Sequence, residues 1–226
     1  GYVCSECGGR AVRWVGRCPA CDAWNTMVAE EPAVSEEPGG PFRLGDPSPA
    51  VNLSDAPADD VARLRTGIGE FDRVLGGGLV EGGVVLLGGE PGAGKSTLVL
   101  QAADRLSRAG HAVVYVSAEE SAHQIRLRAT RLGISGDGVL LVTDCGLPGA
   151  LARARAAGAA CVAIDSIQAV MCPDVDAAPG SIQQARESTA LAVAVAKSTG
   201  MAALITGHVT KEGNLAGPKS LEHMVD

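Results

Sequence analysis

The stretch GGEPGAGKSTLVLQ, residues 88–101, constrains this chain more than any other. Each glycine inside regular structure costs about 0.5–1 kcal/mol against alanine, so a fold does not collect them without a reason. Gly89, Glu90, Pro91, Gly92, Ala93, Gly94, Lys95 and Ser96 match the pattern G-x-x-x-x-G-K-[ST] without a mismatch. An apolar run precedes the match and an amphipathic run follows it, the setting of a loop that joins a strand to a helix. Such a loop wraps a di- or triphosphate with its own N–H groups, and a side chain at Gly92 or Gly94 would hold the phosphates off. The helix beginning near Lys95 adds the positive end of its dipole. Lys95 reaches the β- and γ-phosphates as a point charge, the Ser96 hydroxyl can ligate Mg²⁺, and Thr97 follows in the first helical turn. ATP with Mg²⁺ is the expected ligand.

The rest of the chain from Val61 onward agrees with that setting. Apolar runs at 83–89, 111–120, 138–144, 160–170 and 201–210 read as strands, and 96–110, 121–133, 148–159 and 182–200 as helices. Strands alternating with helices of this length call for an α/β fold, a parallel sheet sandwiched by helices. Aromatic residues are only 3% of the chain, so the core has to be aliphatic.

A phosphate site needs carboxylates. Asp165 closes the apolar run CVAID, at a strand end where ligands bind on open α/β sheets, and is the expected second Mg²⁺ ligand; alone it would read as a turn cap. In YVSAEES, Glu119 or Glu120 follows the next strand and can orient the attacking water. Glu119 is the choice because it lies nearer the strand; a helix-start carboxylate matching the dipole is the plainer role. His208 ends the last strand at the same edge, where it could touch a γ-phosphate, although a lone histidine is more often structural.

A second unit stands at the N-terminal side. In CSECGGRAVRWVGRCPAC, ten residues separate the pair Cys4 and Cys7 from the pair Cys18 and Cys21. Four thiolates on two tight turns suit tetrahedral Zn²⁺, with iron as an alternative for the same ligands. So short a segment lacks a core, and metal binding would supply its folding energy. Arg10, Arg13, Arg17, Trp14 and Trp24 could meet DNA or a partner protein, or the tryptophans could simply cover the metal. The expected divisions are a metal module at 1–28, a linker at 29–60 rich in Pro, Glu, Asp and Ser, and the α/β domain at 61–226. No apolar run reaches the roughly 18–20 residues of a membrane span and no signal-peptide pattern is present, so a cytoplasmic address is the default. A net charge of −7 argues against a surface that coats nucleic acid all over, though not against a local basic channel.

Taken together, the cysteine knuckles, TGIGEFDRVLGGGL, the phosphate loop, YVSAEES, IDSIQ and GHVTKEGNLAGPKSLEHMVD resemble the RadA (Sms) family of bacterial DNA repair proteins, within the RecA-like ATPases. The resemblance spans the chain apart from the linker. It implies a RecA-like ATPase core forming a hexameric ring on single-stranded DNA, acting with the RecA recombinase in branch migration of recombination intermediates. Carried over, Lys95, Ser96 and Asp165 hold Mg-ATP, Glu119 is the catalytic carboxylate and His208 the nucleotide sensor. Gly180, Ser181, Gln183, Gln184, Arg186, Lys211 and Lys219 fall in loops that face DNA. The family's Lys-Asn-Arg-Phe-Gly motif and its domain resembling the Lon protease have no counterpart in the 226 residues, which look like the front portion of a longer protein. A nucleotide switch acting on protein, or a non-catalytic adaptor for a recombinase, would share the same core.

Overall fold

The structure is a computed structural model, and it describes residues 2–11, 14–29, 52, 62–208 and 221–226. The chain divides into two compact units, residues 1–43 and 44–226. The expected linker lies almost wholly outside the described residues, as do Lys211 and Lys219.

In the first unit, β1 (Tyr2–Cys4), β2 (Arg10–Ala11) and β3 (Met27–Ala29) form an antiparallel sheet in the order β2-β1-β3. The two cysteine pairs build near-identical turns. Gly8 N–H donates to the Cys4 carbonyl and Cys4 N–H to the Gly9 carbonyl, each at 2.9 Å. The second turn repeats this, with Asp22 N–H on Cys18 and Cys18 N–H on Ala23, again at 2.9 Å. The residue after each second cysteine is left-handed, Gly8 at φ 72° and Asp22 at φ 62°. Glycine meets that demand freely, and aspartate is among the few side chains that tolerate it.

The second unit opens with a small antiparallel pair, β4 (Arg63–Leu64) and β5 (Leu79–Val80), enclosing the helix α1 (Gly69–Val74). This is the TGIGEFDRVLGGGL stretch. Asp72 organises it by reaching back, accepting from the Thr66 N–H at 2.9 Å, its hydroxyl at 2.7 Å and the Gly67 N–H at 2.9 Å. The sequence pattern had assigned no element here, because the helix is short and buries no residue fully.

Then come β6 (Val84–Gly89), α2 (Lys95–Arg108), β7 (Val113–Ser117), α3 (Ala122–Arg131), β8 (Val139–Val142), α4 (Leu147–Ala156), β9 (Cys161–Asp165), α5 (Ile182–Thr199) and β10 (Ala202–His208). The five strands form one parallel sheet in the order β6-β10-β9-β7-β8. Every residue of β7 and β9 is buried, as continuous apolar runs in a parallel sheet require. Alternate residues serve opposite faces. Val114, Val116, Val162, Ile164 and Ile205 pack with Leu147 and Leu151 of α4 and Leu191 of α5. Val113, Tyr115, Ala163 and Leu204 pack with Val99, Leu100 and Leu106 of α2 and Ile125 of α3. The expected α/β core, a parallel sheet between helices preceded by a four-cysteine module, is what the structure shows.

Strand order positions the site. β10 threads between β6 and β9, so the chain's crossovers diverge and leave a crevice at the C-terminal strand ends. Register aligns those ends: His208 pairs with Gly89, and Ser117 with Asp165.

Candidate nucleotide site and metal module

Between Gly89 and Lys95 the backbone makes a glycine-rich turn. Gly92 and Gly94 have φ of 81° and 89°, and a Cβ on either would meet nothing within 4 Å. The room is there, so the glycines serve the left-handed turn and leave open space beside bare amides. Gly94 caps α2 with no side-chain hydrogen bond, and the first turn holds no acidic residue. The orphan N–H groups of that helix start therefore remain available to an anion.

Lys95, buried to 8% exposure, is folded back onto the loop, its Nζ donating to the Gly89 carbonyl at 2.7 Å and the Glu90 carbonyl at 2.8 Å. Ser96 Oγ donates to Asp165 Oδ1 at 3.0 Å, bringing together the two residues expected to hold a divalent cation. Thr97 sits half-buried in the same turn, while Glu90, Pro91 and Ala93 are exposed at the rim.

Asp165 is held by more groups than the sequence suggested. Thr206 Oγ1 donates to Oδ1 at 2.7 Å and the Tyr115 hydroxyl to Oδ2 at 2.5 Å. Burial, reinforced by Asp165, pushes the Tyr115 phenol well above its ordinary range, so Tyr115 stays protonated and keeps donating. These donors fix the carboxylate with Oδ1 toward Ser96 and Oδ2 toward Tyr115. Tyr115 and Thr206 were legible only as polar interruptions in apolar strands.

The two glutamates separate cleanly. Glu119 Oε1 accepts from Ser166 Oγ at 2.5 Å and stands 3.6 Å from His208 Nε2. The other ring nitrogen of His208, Nδ1, lies 3.5 Å from Lys95 Nζ. Glu120 instead is paired with Arg128 of α3. Burial works against the Arg128 charge, but its hydrogen bond and attraction to Glu120 outweigh that and hold the guanidinium above its usual range. Arg128 Nη1 is also 3.9 Å from Asp165 Oδ2. Sequence reading passed over Arg128, which was one of several basic residues on its helix, and over Ser166.

Of the residues expected to face DNA, Gly180, Gln183 and Arg186 are exposed and Ser181 caps α5, accepting from the Gln184 N–H at 3.3 Å. Gln184 is placed otherwise than expected. It is fully buried, and its amide is used internally, accepting from Cys172 N–H at 2.9 Å and donating to the carbonyls of Cys172, Val175 and Ala177. The helical period explains this: Gln183 and Arg186 share the outer face and Gln184 the inner one.

In the module, the ligand atoms of Cys4, Cys7, Cys18 and Cys21 all lie within 4.8 Å of one another. Cys4 to Cys21 and Cys7 to Cys18 are each 3.7 Å. Tetrahedral zinc with Zn–S of about 2.3 Å sets sulfurs about 3.8 Å apart, whereas a disulfide would bring them to about 2.05 Å. The cluster therefore fits a metal and not a bridge. The Thr26 hydroxyl, 3.1 Å from Cys4 Sγ, draws that thiol down to about 6 against the opposing effect of burial. Nearby backbone N–H groups draw Cys7 and Cys21 down, but neighbouring thiols and burial outweigh them and push both up. Gly9 permits the two turns to close, since a Cβ there would lie 2.8 Å from that of Ala20. Trp14 and Trp24 are 55% and 69% exposed, so they do not cover the cluster.

Residues 48–214 match the AAA domain family. The chain belongs to that family. Residues 2–29 match the Rubredoxin metal binding domain. Over its whole length the chain is 42% identical to the DNA repair protein RadA of Bacillus subtilis strain 168 and 44% identical to those of Pseudomonas aeruginosa and Listeria monocytogenes. It spans about half the length of these curated relatives, 50%, 50% and 49% respectively. The resemblance drawn from the motifs is thus shown. Among the described residues, no helix is long and apolar enough to cross a membrane.

Proposed function

We propose that this AAA-family chain is the ATP-hydrolysing part of a DNA repair motor that grips single-stranded DNA. The observation that carries the reading is the 3.0 Å contact of Ser96 with Asp165 beneath an open glycine turn. In it, Lys95 and the free backbone N–H groups of the loop from Gly92 to Ser96 hold the phosphates of ATP, and Ser96 with Asp165 holds Mg²⁺. Magnesium, when bound, supplies charge neutralisation at the β- and γ-phosphates. Tyr115 and Thr206 keep Asp165 aimed, while Arg128 holds Glu120 aside. That leaves Glu119 as the carboxylate to orient and deprotonate water, and Ser166 fixes its rotamer. His208, facing both Lys95 and Glu119, is placed to register what the loop holds. Zn²⁺ occupies the four-cysteine cluster as a structural ion.

The finer reading follows the RadA relatives. Gly180, Ser181, Gln183 and Arg186, with Lys211 and Lys219, contact single-stranded or branched DNA. The protein works as a hexameric ring with the RecA recombinase in branch migration, in the cytoplasm. Its acidic surface is compatible with this, because a pore needs only local positive charge.

The test is ATP turnover with and without single-stranded DNA, in the protein and in Glu119→Gln. DNA should stimulate the first several-fold, and Glu119→Gln should lose roughly 10²–10⁴-fold of turnover while still binding ATP. Turnover indifferent to DNA, with phosphate transferred to serine or threonine, would replace the motor by a switch that acts on protein. Full activity in Glu119→Gln would remove Glu119 from its role.

A further inference from the structure

Two glutamines flank the segment between β9 and α5, and they are used in opposite ways. Gln184 has its whole amide engaged, which ties residues 172–177 to α5 as one piece. Gln168 is half engaged. Its Oε1 accepts the His208 N–H over a long 3.4 Å, and its buried Nε2 has no hydrogen-bond partner among the described residues. An unpaired buried donor costs about 1–3 kcal/mol, and an apolar side chain of the same shape would avoid that cost. A glutamine kept for packing alone is a poor choice at this point.

Its location offers a better reason. His208 is the last residue of β10, and its ring nitrogen stands 3.5 Å from Lys95 Nζ. On the other side, the Gln168 backbone carbonyl lies 3.7 Å from where a Cβ on Gly180 would sit. Gly180 is left-handed at φ 76° and immediately precedes Ser181, the N-cap of α5. Gln168 therefore holds the end of the strand beside the phosphate loop with its side chain, and its backbone borders the turn that launches α5. A strong amide network on one side and a single long contact on the other make the second the contact that can break.

We propose that Gln168 is a positioning residue that makes the start of α5, with Gly180, Ser181, Gln183 and Arg186, respond to the anion held at the phosphate loop. A displacement of His208 relative to Lys95 makes or breaks the His208 N–H contact with Gln168, and the Gly180 turn moves with it. The partner at the far end is the sugar-phosphate backbone of single-stranded DNA. The inference rests on the nucleotide and DNA reading above, and deepens it.

The experiment measures affinity for an oligothymidine strand with a non-hydrolysable ATP analogue and with ADP, in the intact protein and in Gln168→Met and Gln168→Asn. The ratio of the two affinities is the readout, because a general structural defect weakens both states alike. The unaltered protein should show a ratio of roughly 5–150, falling below about twofold in both variants while ATP-analogue affinity holds. An unaltered ratio in Gln168→Met overturns the positioning role and leaves the functional reading standing. A ratio of one in the unaltered protein overturns both. Loss of folding or of nucleotide affinity in both variants makes Gln168 a structural prop, which also overturns the proposal.

Discussion

The two units of this molecule are held together by different means. Among the described residues of the module, only Cys4, Cys18 and Met27 form a buried apolar cluster, and two of those three are metal-ligand candidates. Among the described residues of the core, 19 buried ones cluster on one side of the sheet and 15 on the other. At about 1.5–3 kcal/mol for each fully buried aliphatic side chain, the core has ample driving force to offset chain entropy, and the module has almost none. The lesson is that one chain can carry a unit whose fold is conditional on an ion beside a unit whose fold is not. The first is read from ligand spacing, the second from apolar periodicity.

Metal removal should expose that contrast most. Structural zinc is worth on the order of 10 kcal/mol to so small a unit, more than its cluster can replace. After chelation, Cys4, Cys7, Cys18 and Cys21 should all react with a thiol reagent, and the amides of Gly8 and Asp22 should exchange without protection. The core's thermal transition should stay within about 2 °C of its original position. Melting of both units together on chelation would show that the contrast is wrong.

The next effect is functional. Lys95→Ala removes the cation that the loop carbonyls of Gly89 and Glu90 hold in place. Phosphate release should fall by roughly 10²–10³-fold, the scale for losing one preorganised charge-stabilising donor. Metal stoichiometry should not change, since the module folds on its own ligands. Normal turnover in this variant would place the nucleotide elsewhere.

Core packing comes third. Leu204 is 1% exposed in the middle of β10, and Leu204→Ala should cost about 2–5 kcal/mol in urea unfolding. The matching change in the module, Met27→Ala, should leave four thiolates on the metal and no change in metal content. A loss of metal on Met27→Ala would mean that the module depends on its cluster after all.

How much of this was legible beforehand follows from the same contrast. Strands and helices from Val84 onward were readable because each buried strand is a mainly apolar run with few polar interruptions, and each helix stops at or just before a glycine. The expected strand at 160–170 is shorter in the structure, ending at Asp165. After it, Ile167 N–H turns to the Thr206 carbonyl, and Ala169 N–H to Ser166. Lys95, Ser96, Asp165 and the four cysteines announced themselves by spacing. Tyr115, Thr206, Ser166 and Arg128 did not, because their contacts to Asp165, Glu119 and Glu120 join different strands and helices. Only strand order brings them together. Gln184 shows the opposite failure, a polar residue in a plausible loop that the helical period turns inward.

The smallest effect tests whether the core hides a staple of its own. The free side of β6 is met by Asp226, which accepts from the Val84 N–H at 2.9 Å and donates its own N–H to the Val84 carbonyl at 3.0 Å. Lys197 of α5 binds both oxygens of the same carboxylate at 2.7–2.8 Å. Lys197, then the Val84 amide, hold the Asp226 carboxyl below its usual range. Its folded pKa is thus lower than the unfolded value of about 3.9, so the contribution is present above that pH and fades as acid protonates the group. Both side chains are about half exposed, at 53% and 52%, where screening keeps an ion pair near 0–1 kcal/mol. Lys197→Ala should therefore cost less than about 1 kcal/mol at neutral pH, and the difference should shrink in high salt and below about pH 4. A loss above about 2 kcal/mol would mean that this pair clamps the sheet edge as the metal clamps the module, and the two units would then differ in degree only.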